Sequence, residues 1–80
     1  MVVQWDEHNL VHLMNHNGWR SISPSEVEEV IRSRTSVRRR LSGGRRKYHG
    51  RTDAGRLLAV IVEVLGPNRA RPRTAWEVPR

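Results

Sequence analysis

Residues 56–65 read RLLAVIVEVL, and this segment, which contains the longest apolar run of the chain, decides the fold. Aliphatic side chains occupy both sets of alternating positions, a pattern typical of a central β-strand that is buried on two faces. One face would carry Leu58, Val60 and Val62, and the other Leu57, Ala59 and Ile61. We expect a helix to cover one of these faces, because a sheet must bury its apolar side against another layer.

Turn-forming residues on both sides of this segment predict antiparallel neighbours. Gly-Pro-Asn at 66–68 separates it from a last strand at 73–78, RTAWEV. Asp-Ala-Gly at 53–55 leads back to a strand at 46–52, and Ser-Gly-Gly at 42–44 joins that strand to one at 37–41.

The first half of the chain predicts two short helices. Ser23 and Glu26 have the spacing of a capping box around Pro24, and the helix they open would place Val27, Val30 and Ile31 inward and end near 32–33. Asp6 is the expected N-cap of an earlier helix running to about His16, with Leu10, Leu13 and Met14 on one face. Residues 2–5, VVQW, indicate a short entry strand.

These elements predict one α+β domain over residues 1–80. The expected order is β-α-α-β-β-β-β, with two helices packed on a four- to five-stranded, mainly antiparallel sheet. The chain has no Cys, and Asp6 and Glu7 interrupt any apolar leader. We therefore expect a cytoplasmic protein with no membrane partner, because no apolar run is long enough to span a bilayer.

Charge is distributed unevenly between the two halves. Residues 1–31 hold one Arg and five acids, a net charge of −4, whereas residues 32–80 hold fourteen Lys/Arg and three acids, a net charge of +11. A polyanionic partner is the natural interpretation of the second half, since Lys and Arg gain free energy by releasing counterions on phosphate contact. A basic surface that is merely solvated is the alternative.

The arginine-rich strands are the expected nucleic-acid contacts. The residues assigned to RNA binding are Arg38, Arg39, Arg40, Arg45, Arg46, Lys47 and Tyr48. Because side chains alternate along a strand, antiparallel pairing could gather Arg, Lys and His49 on one sheet face. Such a face offers phosphate contacts together with an imidazole, the groups needed for RNA cleavage without a metal. Phosphate binding without chemistry is the simpler interpretation.

Three histidines recur at four-residue steps, His8, His12 and His16, and would form a stripe on the first helix. Three interpretations stay open: a divalent metal site, proton transfer by an imidazole, and an exposed polar face. No HExxH motif supports a metal, so neither a metal nor a cofactor is expected. Among the aromatic residues, Trp5 and Trp76 are expected in the core, whereas Trp19 could be either a stacking residue or a core residue.

The sequence resembles the BrnT family of type II toxin–antitoxin ribonucleases, which have a RelE-like fold. The resemblance lies in five short motifs: Trp5-Asp6-Glu7, His16 before Asn17-Gly18, Ser23-Pro24-Ser25-Glu26-Val27, the pair Gly50-Arg51-Thr52 and Gly55-Arg56-Leu57-Leu58-Ala59-Val60, and Arg73-Thr74-Ala75-Trp76-Glu77. The resemblance rests on the order and spacing of these five motifs together.

The resemblance implies a metal-independent endoribonuclease that uses the RNA 2′-hydroxyl as nucleophile. His16 is then the first candidate for proton transfer and His49 the second, while Arg51, Arg56 and Arg73 would hold phosphate or stabilise the transition state. The implied partners are RNA, in association with a ribosome or free, and a small DNA-binding antitoxin; a homodimer is the other assembly considered.

The sequence departs from the family pattern at three points. Asn15 stands where the family has Lys before its His, and Asn17 separates His16 from Gly18. Trp76-Glu77 stands where the family has an Arg-Lys pair, and the family's basic C-terminal segment has no counterpart here. The last two departures favour an alternative, a non-catalytic basic nucleic-acid-binding module or degenerate toxin relative.

Overall fold

A computed structural model of the chain describes residues 1–10 and 22–79. The strands are β1 (Val2–Val3), β2 (Val37–Leu41), β3 (Arg45–Arg51), β4 (Leu57–Gly66) and β5 (Arg69–Glu77), and helix α1 is Pro24–Arg32. Residues 7–10 are also helical. The α+β class and the order of these elements agree with the prediction. In this described part, no helix combines the length and apolar character needed to cross a membrane.

The five strands form one sheet in the order β1-β5-β4-β3-β2. Strands β2 to β5 pair antiparallel with their neighbours, and β1 pairs parallel with β5. The sheet is therefore mixed, because the short entry strand runs beside the last strand. As expected from residues 56–65, β4 is the central strand and ends within one residue of the predicted bounds.

Helix α1 begins as its sequence predicts. Glu26 N–H donates to Ser23 Oγ at 3.2 Å, and Ser23 N–H donates to Glu26 Oε1 at 3.0 Å, so both halves of the capping box are formed around Pro24. A cap of this kind stabilises a helix by about 1 kcal/mol. Ser33 then leaves the helix with extended backbone, which fixes the end of α1 at Arg32.

A second reciprocal cap opens the helical residues 7–10. Asn9 N–H donates to Asp6 Oδ1 at 2.9 Å, while Asp6 N–H donates to Asn9 Oδ1 at 2.8 Å. The prediction of Asp6 as N-cap is confirmed. The predicted extension to His16, including Leu13 and Met14, lies outside the described residues.

The core lies between α1 and one face of β4, here called the helix face. Leu58, Val60 and Val62 are fully buried, and they cluster with the three inward residues of α1, Val27, Val30 and Ile31. This confirms both the predicted faces of β4 and its cover by the second predicted helix. The side of the sheet that carries Leu57, Ala59 and Ile61 is called the far face.

Strand β5 is longer than the predicted 73–78, because it continues through Pro72. Ile61 pairs with Thr74 and Val62 with Pro72, so Arg73 is the extra residue of a β-bulge. β1 pairs only with the first two residues of β5, and Pro72 lies past that paired part. Because no β1 residue pairs with Pro72, the missing N–H of this proline removes no hydrogen bond between β1 and β5. Its carbonyl instead accepts from Asn9 Nδ2 at 3.2 Å.

Gly50 allows the segment after α1 to pack closely on β3. A Cβ at this position would lie 2.9 Å from Ser36 Cβ and 3.3 Å from Ser36 Cα. Ser36 is fixed there because its Oγ donates to the Val30 carbonyl at 2.6 Å. The backbone of this connection therefore approaches the helix face more closely than a side chain would allow.

Replacing Gly50 with Ala should destabilise the protein by about 1–3 kcal/mol, the usual cost of overpacking a fixed contact. Gly66→Ala is the matched control, because nothing lies within 4 Å of a Cβ added there. Urea unfolding followed by circular dichroism measures both. Equal unfolding midpoints for the two variants would show that the contact between Gly50 and Ser36 imposes no constraint.

Candidate nucleic-acid interface

The cationic side chains of β2 and β3 form a surface that we call the basic edge. Its members are Arg38, Arg39, Arg40, Arg45, Arg46 and Lys47. The register pairs Arg39 with Lys47 and Arg40 with Arg46, so like charges stand opposite each other on adjacent strands. Such pairs destabilise an isolated hairpin, so β3 depends on its pairing with β4 to keep these charges close together.

Alternation divides the basic edge between the two faces of the sheet. Arg38 pairs with Tyr48 and Tyr48 with the buried Val60, so Arg38, Arg40 and Arg46 are on the helix face. Arg39, Arg45 and Lys47 are on the far face by the same register. The six predicted contacts therefore cannot all meet one flat ligand.

Tyr48 was predicted to contact RNA, and its position in the structure contradicts that prediction. It is only 1% exposed and is the largest fully buried side chain of the core. Arg46 Nη1 donates to its hydroxyl oxygen at 3.2 Å, and the hydroxyl donates to Met1 Sδ at 3.8 Å. The ring is unavailable for stacking because the register turns Tyr48 towards α1.

His49 lies on the far face in line with two cations of its own strand. Lys47 and Arg51 flank it two residues away, which is about 7 Å along a strand. Ala59, a side chain too small to cover the imidazole, lies directly across on β4. His49 is half-buried, so its ring is held by the sheet and still reaches the surface.

Trp76 continues this row on β5, since it pairs with Ala59. The Lys47 Nζ lies 5.3 Å from the centroid of the Trp76 ring, a cation–π contact across the far face. Trp76 was expected in the core and is not part of the core cluster, whereas Trp5 does pack against it. Trp5 Nε1 also donates to Glu28 Oε2 at 2.9 Å, and Trp19 lies outside the described residues.

Arg56 is held by two carboxylates. Its Nη1 donates to Glu26 Oε2 at 2.8 Å and its Nη2 to Glu77 Oε1 at 3.1 Å. The guanidinium therefore joins the start of α1 to the end of β5. Because Glu26 and Glu77 balance the charge of Arg56, this residue has a structural role in the present arrangement.

The other predicted catalytic residues do not form one cluster with Arg56. Arg51 shares the far face with His49, and its Nη1 donates to the Gly55 carbonyl at 3.0 Å. Arg73 lies two strands away in the β5 bulge, where its Nη1 is 3.9 Å from Glu63 Oε2. His16 and His12 lie outside the described residues.

His8 is the one member of the histidine stripe in the described part of the chain, and it is exposed. Within that part, no group of three or more His, Asp or Glu is placed to hold a metal ion. What the arrangement offers chemically is an imidazole between two cations, with an indole ring two strands away on the same face. The sequence analysis did not predict that Trp76 lies on the far face. The available signal was that neighbouring side chains of a strand point to opposite faces, so Trp76 and the small Ala75 cannot both be in the core.

Comparisons of the chain with protein-family models, with curated proteins and with solved structures find no match. The resemblance to the BrnT family therefore stays a prediction.

The Glu26–Arg56 pair should make stability depend on pH. Partial burial raises the pKa of Glu26, but hydrogen bonds from Ser23 and Arg56 outweigh burial and lower the pKa below its ordinary 4.5. A lowered folded pKa contributes stability that is present above pH 4.5 and is lost as pH falls through the folded value. Glu26→Gln should therefore cost about 1 kcal/mol at pH 7, and less as the pH falls below 4.5.

Thermal or urea unfolding between pH 3 and pH 7 measures this difference. Glu7→Gln, the same change at an exposed acid, should alter the unfolding free energy by less than about 0.5 kcal/mol. A cost of Glu26→Gln that is the same at pH 3 and pH 7 would contradict a lowered pKa.

Proposed function

We propose that the protein binds single-stranded RNA on the far face of its sheet. The observation that carries this proposal is the register, which aligns Arg39, Lys47, His49 and Arg51 with Trp76 on one surface. Cations interleaved with an aromatic ring suit a single strand, because phosphates contact the cations while an unstacked base lies on the ring.

The distribution of acids supports this surface. Glu26 and Glu77 pair with Arg56, and Glu28 pairs with Arg32, so these carboxylates neutralise cations near α1. In the part of the chain that the structure describes, Arg39, Lys47 and Arg51 form no salt bridge with a carboxylate. The positive charge left for a polyanion is therefore concentrated on the sheet.

A duplex fits this surface less well than a single strand. Readout of double-stranded DNA uses an element that enters the major groove, whereas a sheet face with exposed rings stacks splayed bases. Trp76 and His49 are both partly exposed on the far face. These rings favour a strand whose bases are free to stack.

A second candidate function is RNA cleavage without metal, favoured by the position of His49 between Lys47 and Arg51. His49 would take the proton of a 2′-hydroxyl, whose oxygen attacks the adjacent phosphorus. The bond from phosphorus to the 5′-oxygen then breaks, leaving a 2′,3′-cyclic phosphate and a 5′-hydroxyl that takes its proton from water. The cations would stabilise the added negative charge. In this version the protein is a toxin, and an acidic antitoxin segment covers the basic edge.

Binding is tested with Arg39→Gln and Arg38→Gln. These neighbours are both exposed and identical in type, but they lie on opposite faces of β2. We expect Arg39→Gln to weaken the binding of a single-stranded RNA oligonucleotide and to reduce the slope of log K against log salt by about 0.7. Arg38→Gln should leave that slope unchanged. Equal losses, or no salt-dependent binding by the unmodified protein, would overturn the far-face assignment.

Cleavage is tested with His49→Ala in the presence of EDTA. We expect this variant to lose about 10²-fold or more in cleavage rate at saturating RNA, a loss that weaker binding does not explain. Detection of a 2′,3′-cyclic phosphate end identifies the reaction. If the unmodified protein leaves RNA intact and does not arrest growth when expressed, the protein is a binding module and the catalytic candidate is rejected.

A further inference from the structure

We propose a phosphate-binding site in the cavity beside the β5 bulge. The cavity has a volume of about 260 Å³ and lies on the far face, next to the helical residues 7–10. Its cationic lining comes from Arg45, Arg71 and Arg73, and its remaining walls include His8, Ile61 and Thr74. This inference rests on the proposed function, because RNA is the source of the phosphate.

The bulge brings the lining residues together. Arg71 and Thr74 pair with Glu63 and Ile61 of β4, and Arg73 is the unpaired residue between the two registers. A bulge bends its strand and re-aims the side chains around it. As a result, all four residues of β5 from Arg71 to Thr74 border a single cavity, and three of them are polar.

The charges at the cavity leave a net attraction for an anion. Arg71 is fixed by Asp6, whose Oδ2 accepts from Arg71 Nε at 2.9 Å. Arg71 and Arg73 each lie 3.9 Å from a Glu63 oxygen. Among the described residues, the lining itself holds the guanidinium groups of Arg45, Arg71 and Arg73 and no carboxylate, because Asp6 and Glu63 approach these arginines from outside it.

Thr74 provides a hydrogen-bond donor that has no partner. Its Oγ1 is buried and is the one side-chain nitrogen or oxygen in the described residues that is both buried and without a hydrogen bond. Leaving such a group unsatisfied lowers the stability of the folded chain. A phosphate oxygen in the cavity would accept a hydrogen bond from this hydroxyl and satisfy it.

The cavity lies at the end of the proposed RNA surface. Arg39, Lys47, Ile61 and Thr74 follow one another across four strands in one row. This row is about 14 Å long, since neighbouring strands are roughly 4.8 Å apart. The volume is slightly below that of sites for drug-sized molecules, which begin near 300 Å³, and suits a phosphate with part of its ribose.

The first test titrates the full chain with inorganic phosphate and with adenosine 5′-monophosphate, followed by NMR. We expect saturable shifts at Thr74 and its neighbours, with affinity reduced at least threefold in Arg73→Gln and in Thr74→Val. Arg69→Gln is the matched control, because Arg69 is an exposed arginine of β5 that does not line the cavity. Shifts that do not saturate, or equal losses in Arg69→Gln and Arg73→Gln, would overturn the site.

Thr74→Val also separates a binding role from a structural one. Without ligand, this variant should be at least as stable as the unmodified protein, because it removes an unsatisfied hydroxyl. A variant that is less stable and still binds phosphate normally would show that the hydroxyl serves the fold, and would overturn its assignment as a phosphate donor.

The second test uses RNA oligonucleotides of one sequence with a 5′-phosphate or a 5′-hydroxyl. If the cavity takes a terminal phosphate, the first binds more tightly, and Arg73→Gln removes the difference. If it takes an internal phosphodiester, both bind equally and Arg73→Gln weakens both. When Arg39→Gln weakens RNA binding but Arg73→Gln and Thr74→Val do not, this site is rejected and the proposed function stands. Phosphate binding without RNA binding rejects the proposed function alone.

Discussion

The contact between α1 and the helix face of β4 is the interaction on which the rest of the structure depends. Val27 and Val30 meet Leu58, Val60 and Val62, and all five are fully buried. A chain of 80 residues without Phe has few large side chains for a core. Replacing one of these five residues with Ala would therefore lower the free energy of unfolding by about 2–5 kcal/mol. Because α1 covers the helix face, the far face carries Leu57, Ala59 and Ile61 of β4 together with cationic and polar side chains of the neighbouring strands.

The same packing places the acidic and basic parts of the sequence in different regions of the folded protein. Acids of α1 pair with Arg32 and Arg56, which stand at the two ends of that helix, and Arg56 also reaches Glu77. Asp6, Glu26 and Glu28 of the acidic first half thereby pair with Arg71, Arg56 and Arg32 respectively. The arginines of the β2–β3 hairpin form no salt bridge with a carboxylate among the described residues, so the far face is an electropositive surface on a rigid support.

How much the sequence could predict depends on whether the deciding interaction was local. The capping box at Ser23, the bounds of β2 and the two faces of β4 follow from neighbouring residues, and all are confirmed. The choice of face for Tyr48 depends on its pairing with Val60, and the position of Trp76 depends on a register across two strands. The parallel pairing of β1 and the hydrogen bond between Asn9 and Pro72 join residues more than sixty positions apart, so no local pattern could reveal them. The site at the bulge was missed because it also depends on a register shift between β4 and β5.

The three consecutive arginines of β2 have a consequence for how the molecule behaves among its own copies. β2 ends the sheet, and among the described residues it pairs with β3 alone, so its outer edge presents unpaired backbone groups. Such an edge is a template for joining another chain, and cationic side chains are a common protection against it. Two copies meeting edge to edge would bring six guanidinium groups onto adjacent strands. A polyanion that neutralises those arginines would therefore also remove the barrier to strand-to-strand association, linking solubility of the protein to what it has bound.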